Sequence, residues 1–147
     1  MDKNQTLEAM VAAKKSHETQ MAKIEAAING ENVENPTAVA KTMCHFGKWL
    51  YAEENHIEEI LGELFYEKLE KAHAQWHTEY VRVFNIFHKN KKSGFFAGLL
   101  GSNKVDDLEI DKAKLYYREL EVTTKELLHV LGSCERRISA MSEAKFH

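Results

Sequence analysis

Apolar residues recur every three to four positions along most of the chain, which is the period of an α-helix with one buried face. Clusters of β-branched residues that alternate with polar ones are absent. The helical pattern breaks in the polar stretch that leads to Pro36 and again in the glycine-rich stretch 93–103. The sequence therefore predicts an all-α fold, an antiparallel four-helix bundle with an extra short helical segment.

The two breaks and the local capping signals divide the pattern into helices. The first is predicted over about Thr6 to Ile28, and the second starts near Pro36, a residue suited to a first helical turn, and runs to Leu50. Asn55 is predicted to cap a third helical segment, which continues or restarts and reaches Phe87. The last helix is predicted over about Val105 to Phe146, with a bend near Gly132.

Composition narrows the class of protein. The chain has 147 residues, 44% apolar and 29% charged, which suits one domain over 1–147 with a real core. No apolar run approaches the ~18 residues that span a bilayer, and the polar N-terminus has no signal-peptide core, so we expect a cytoplasmic protein without membrane insertion. The net charge of -3 offers no attraction for nucleic acid.

A glycine-rich but apolar loop is predicted over 91–104, before the last long helix. It lacks the Gly-Lys-Ser/Thr of a phosphate-binding loop. Two interpretations stay open: the loop folds its Phe and Leu side chains onto the bundle, or it is a docking patch. We expect a homodimer formed through the last helix and this loop.

Four residues that are typical metal ligands are predicted to face the interior from three different helices: His17, Cys44, His73 and His77. His73 and His77 are four residues apart, which places them one turn apart on the same face of a helix. Each has a plainer interpretation. A lone histidine on an apolar face is usually a satisfied core residue, a His-x3-His pair arises by chance in a chain with eight histidines, and a buried cysteine is often a small hydrophobe.

The four residues together match the chemistry of zinc. One thiolate and three imidazoles form a borderline-soft set that favours Zn²⁺ over magnesium, calcium or manganese. Four protein ligands fill a tetrahedral shell and leave no position for a substrate, so the sequence predicts no enzymatic activity. Cys134, on the apolar face of the last helix, is expected to be a buried structural thiol.

Three other classes of function are alternatives to a zinc site without enzymatic activity. A hemerythrin-like di-iron bundle needs a His-x3-Glu pattern, which the chain lacks. A zinc hydrolase needs an open coordination position, and the chain has no His-Glu-x-x-His. A helical interaction or scaffold protein without a functional metal site stays open as the alternative.

The segment Cys44-His45-Phe46-Gly47-Lys48-Trp49 resembles the Cys-x-[Phe/Leu]-Gly-x-Trp signature of the chemoreceptor zinc-binding (CZB) domain family. The upstream histidine and the downstream His-x3-His pair complete that family's three-His, one-Cys pattern, and the resemblance covers about Thr6 to Phe87. It implies zinc ligation by His17, Cys44, His73 and His77.

The resemblance also implies a function. Members of the family are cytosolic sensory domains, often dimeric, attached to chemoreceptors or diguanylate cyclases, and they are implicated in responses to zinc and to oxidants. The sequence shows no output domain, so we expect a stand-alone member that signals through a protein partner. Zinc level and oxidant stay open as inputs, as do the partner and the zinc affinity.

Overall fold

The structure, a computed structural model, describes residues 1–88 and 105–146. The described residues contain helices and no strand, so the predicted all-α class is confirmed. Within residues 1–88 and 105–146, five α-helices follow one another: α1 (Lys3–Ile28), α2 (His45–Leu50), α3 (Ile57–Leu61), α4 (Glu63–His88) and α5 (Asp107–Ala140). Two single turns of 3-10 helix occur at Glu53–Asn55 and Glu143–Lys145. The predicted loop 91–104 lies outside the described residues.

The long helices α1 and α4 both run antiparallel to α5. At one end of the bundle the Lys3 ammonium donates to the carbonyl of Ser139 at 2.8 Å. On the α4 side, the Trp76 indole N–H donates to the Thr124 hydroxyl at 2.9 Å within the core. Because the start of α1 meets the end of α5, neighbouring helices alternate in direction as predicted.

The fourth position of the bundle is filled by residues 36–51, which we call the second arm. At one end the Tyr80 hydroxyl donates to the carbonyl of Thr37 at 2.7 Å, and at the other the Trp49 indole N–H lies 3.2 Å from the sulfur of Met1. The second arm therefore runs antiparallel to both α1 and α4. It is helical only in α2, so the prediction of a helix from Pro36 onward was wrong at its start. The carbonyls of Thr37 and Val39 accept bonds from α4 instead of joining a helix of their own.

Gly62 separates α3 from α4. Its φ of 83° lies in a region that favours glycine, so one continuous helix is not formed. The predicted cap at Asn55 was also wrong: His56, with a left-handed φ of 49°, precedes α3, and the Asn55 side chain donates to the Trp49 carbonyl at 2.8 Å.

The last helix ends at Ala140, earlier than predicted, and Gly132 does not interrupt it. Its buried stripe includes Leu120, Leu127, Leu131, Cys134 and Ile138. Leu108 and Leu115 were predicted to belong to this stripe, but they are 66% and 56% exposed. At 100° per residue, these two positions fall on the side of the helix that points away from the buried stripe.

Candidate metal centre

Three histidines meet inside the bundle. His17 comes from α1, and His73 and His77 come from successive turns of α4; all three are buried. One ligating atom of each lies within 4.8 Å of the other two. The predicted inward orientation of the three imidazoles is therefore what the structure shows.

Hydrogen bonds to backbone carbonyls fix the orientation of two of the rings. His17 Nδ1 lies 2.7 Å from the Ala13 carbonyl oxygen, and His77 Nδ1 lies 2.8 Å from that of Val39. Because a carbonyl only accepts, both Nδ1 atoms carry the proton and the lone pair is on Nε2. Histidines that ligate a metal are held in this way. No pattern in the sequence predicts the Val39 contact, because it joins the second arm to α4 across the fold.

Cys44 joins the cluster from the second arm. Its Sγ lies 3.3 Å from Nε2 of His73, and Cys44 is not among the residues whose ligating atoms all lie within 4.8 Å of one another. The Gly47 amide donates to the same sulfur at 3.1 Å, which favours the negatively charged thiolate. A Cβ on Gly47 would lie 1.6 Å from the Lys41 carbonyl oxygen. Only glycine lets the two turns approach closely enough to hold the sulfur here.

Burial controls the protonation of the site. It lowers the pKa of His17 to about 4, against a smaller opposing effect of the Ala13 hydrogen bond. Burial likewise lowers the pKa of His73, with further lowering from the neighbouring His77 and His17, and it lowers the pKa of His77. It raises the pKa of the Cys44 thiol, against the Gly47 hydrogen bond. The imidazoles are therefore neutral at physiological pH, the form that ligates metals.

The donor atoms fit a tetrahedral metal ion. Nε2 of His17 and Nε2 of His77 are buried and have no hydrogen-bond partner. With bonds of about 2.0–2.3 Å, neighbouring ligand atoms in a tetrahedral zinc site are about 3.3–3.6 Å apart. The distance of 3.3 Å between Cys44 Sγ and His73 Nε2 already has this size. The ligating atoms of the three histidines are at most 4.8 Å apart, which exceeds the ideal distance by no more than about 1.5 Å. A neutral imidazole Nε2 with a free lone pair is a good zinc ligand.

Aromatic rings enclose the cluster. The Trp76 ring centroid lies 4.7 Å from that of His17, and the Phe46 centroid lies 5.0 Å from that of His73, both edge to face. This apolar wall excludes water and orients the imidazoles. Trp76 was not predicted to belong to the site, although its position one residue before His77 on the apolar face was a usable signal.

The other described histidines and the second cysteine lie elsewhere. His45, His56 and His129 are exposed, and His88 stacks on Phe84 at the end of α4, so these four are outside the cluster. Cys134 is fully buried within the apolar core and is a free thiol, as expected.

The fold and the site define a class of protein: a helical bundle with a candidate metal centre of three histidines and one cysteine. Residues 17–84 match the model of the chemoreceptor zinc-binding domain family. The matched segment begins at His17 and includes Cys44, His73 and His77. The resemblance stated from the sequence is confirmed.

Searches of curated proteins and of solved structures gave no match to the chain. Among the described residues, no helix has the length and apolar character that crossing a membrane requires.

Proposed function

We propose that the protein is a regulatory module that binds one Zn²⁺ per chain through His17, Cys44, His73 and His77. The observation that carries this proposal is the pair of buried Nε2 atoms on His17 and His77 that lack a hydrogen-bond partner. A buried polar atom without a partner costs about 1–3 kcal/mol. Ligation of a metal by these lone pairs removes that cost, whereas a merely structural histidine would be expected to pair both nitrogens.

The four proposed ligands join three parts of the bundle, namely α1, the second arm and α4. Bound zinc would supply a fixed tetrahedral link between them. The chain's own residues orient the donors, through the Ala13 and Val39 carbonyls, and exclude water, through Trp76 and Phe46. Because four protein ligands fill the shell, we propose no catalytic role.

We further propose that this site senses zinc or oxidants and that its state is passed to a protein partner in the cytoplasm. Loss of zinc, or oxidation of Cys44, would release the second arm from α1 and α4. The family resemblance supports a signalling partner such as a chemoreceptor or diguanylate cyclase, and a homodimeric assembly.

The first experiment is to measure the metal content of untagged protein together with its mass under native conditions. We expect one zinc per chain in the wild type and in the control variants His45→Ala and Cys134→Ala. Zinc should be lost in Cys44→Ala and His77→Ala, while circular dichroism shows that both variants keep their helices. No zinc in the wild type, even after reconstitution with reduced thiols, would leave a helical interaction protein without a functional metal site.

To test whether the site responds to oxidants or to the zinc level, zinc-loaded protein is treated with hydrogen peroxide. If Cys44 is the oxidant-sensitive group, zinc release should follow its oxidation and should be reversed by a thiol reductant and fresh zinc. Zinc that stays bound while Cys44 remains reduced would leave zinc level as the input.

A further inference from the structure

A long groove runs along the outside of the bundle between α4 and α5, with a volume of about 2020 Å³. Helix α5 lines it from Val122 to Ala140, and α4 lines it from Phe65 to Gln75. At 1.5 Å per residue, the α5 wall is about 27 Å long, the length of an 18-residue helix. None of the four proposed zinc ligands lines the groove.

The groove is cationic, although the chain as a whole has a net charge of -3. Two carboxylates line it, those of Glu59 and Glu126. Five cationic side chains line it: Lys68, Lys71, Arg136, Arg137 and Lys145. This excess of positive charge attracts an acidic partner.

Most of these cations have no carboxylate partner within the described part of the chain. Lys68, Lys71, Arg136 and Lys145 are absent from the ion pairs formed there. Arg137 has a structural role, because its Nε donates to the Leu61 carbonyl at 2.7 Å and its guanidinium lies over the Phe65 ring. Of the other four, Arg136 donates to the Ser133 hydroxyl at 3.1 Å, and the charges of all four are left without an ion-pair partner among the described residues.

Between the cations the groove has an apolar surface. Its apolar lining residues include Ile60, Phe65, Val122, Val130 and Met141. Val122 is 69% exposed, so its side chain is open to contact with a partner. The groove thus combines an apolar floor with a rim of cations.

We propose that this groove binds an amphipathic, acidic α-helix of a partner protein, with its apolar face on the floor and its carboxylates against the rim. A channel between two helices accepts a rod of helical width, whereas a membrane presents a broad, flat surface. The acidic helix would belong to the protein partner of the regulatory role proposed above. The physiological meaning of the groove rests on that role. Binding itself does not require zinc ligation.

The probe is a synthetic 18-residue peptide with leucines on one helical face and glutamates on the others. Binding to the full, zinc-loaded chain is measured by fluorescence anisotropy. Two comparison peptides are a scrambled sequence of the same composition and one with lysine in place of glutamate. We expect the acidic amphipathic peptide to bind at least tenfold more tightly than either.

Variants with reversed side-chain charges test whether the peptide binds in the groove. The variant Lys68→Glu/Lys71→Glu/Arg136→Glu should weaken binding at least tenfold. The matched control Lys15→Glu/Lys114→Glu/Lys125→Glu carries the same change in net charge at exposed positions outside the groove and should bind as the wild type does. A second variant, Val122→Asp, tests the floor and should also weaken binding. Zinc content and helicity are measured for each, so that failure of the zinc site is distinguished from failure of the groove.

Three results would overturn the proposal: no binding of the acidic helix, equal binding of the scrambled peptide, or equal loss of binding in the two triple variants. Groove-dependent binding to phosphatidylglycerol vesicles with no binding of the peptide would assign the groove to a lipid surface instead. A dimer that blocks the peptide and dissociates in the groove variant would assign it to a second copy of the chain.

Discussion

At the scale of single residues, the position of the Cys44 sulfur depends on Gly47. The Gly47 amide holds Sγ at 3.1 Å, and the missing side chain leaves room for the Lys41 carbonyl. The Cys44 sulfur, the Gly47 amide and the Lys41 carbonyl are thus closely packed. A substitution at Gly47, which is not a proposed ligand, would therefore move the sulfur of a proposed ligand.

We predict that Gly47→Ala weakens zinc binding by about 10- to 100-fold, as loss of a residue that orients a ligand does. The added Cβ would lie 1.6 Å from the Lys41 carbonyl oxygen, so the backbone around Cys44 must move. Competition with a chromophoric chelator measures the affinity. An affinity equal to that of the wild type would show that the tight turn does not position the sulfur.

The two cysteines should differ in reactivity. Burial raises the pKa of Cys134 to about 11, so its thiolate fraction at neutral pH is very small, and the residue is fully buried. We expect alkylation of the native protein at pH 7.5 to leave Cys134 unmodified. Cys44 should become reactive once a chelator removes zinc, as peptide mass mapping would show. Faster modification of Cys134 than of Cys44 in chelated protein would contradict this assignment.

At the scale of elements, the bundle joins three long helices to a second arm that is mostly irregular. Helices α1, α4 and α5 are stabilised by their own backbone hydrogen bonds and by the apolar core. The second arm has few such bonds of its own and is held by contacts such as those of Thr37 and Val39 with α4. It is therefore the element most dependent on ligation.

We predict that chelation increases amide hydrogen exchange in residues 36–51 far more than in α5, which contributes none of the proposed ligands. The comparison is measured by mass spectrometry on the wild type with and without chelator. In His77→Ala, the amide hydrogens of the second arm should exchange fast even without chelator. Adding chelator should then leave their exchange rates unchanged. Uniform acceleration over all helices would instead indicate global destabilisation.

Two glycines, Gly62 between α3 and α4 and Gly132 inside α5, test how backbone conformation affects stability. Gly62 has φ 83° and ψ 150°, a conformation almost restricted to glycine, so Gly62→Ala should cost about 1–3 kcal/mol. Gly132 lies inside α5, and an added Cβ would meet the nearest atom only at 3.5 Å. Gly132→Ala should therefore stabilise the protein by about 0.5–1 kcal/mol. Urea denaturation measures both, and effects of the same sign would refute this account.

At the scale of the whole molecule, the proposed zinc site links three of the four parts of the bundle near its core. Binding to the folded state alone stabilises a protein by about 2.7 kcal/mol at a free zinc concentration 100 times Kd. For a chain of this size that corresponds to a Tm increase of about 5–10 °C. We predict this increase for wild-type protein and none for His17→Ala. The same increase in both proteins would show that zinc acts elsewhere.

The helical class and the four candidate ligands could be predicted from the sequence, because they depend on local periodicity and on residue chemistry. His73 and His77 share a helix face through their spacing of four alone. The placement of the second arm could not be predicted, because Thr37 and Val39 bond to α4, far away in the sequence. The exposure of Leu115 was missed for a different reason: at 100° per residue it lies far from Leu120 around the helix, and the looser three-to-four spacing hid this difference.

The sequence by itself determined that this protein is helical, that it carries a segment resembling a zinc-binding domain family, and which residues are the candidate ligands. Only the tertiary structure decided how their lone pairs are directed, where the second arm lies, and where positive charge collects in a groove. The physical reason is that periodicity and side-chain chemistry are local properties. Ring orientation, burial and the pKa values of the site arise from contacts between segments that meet only when the chain has folded.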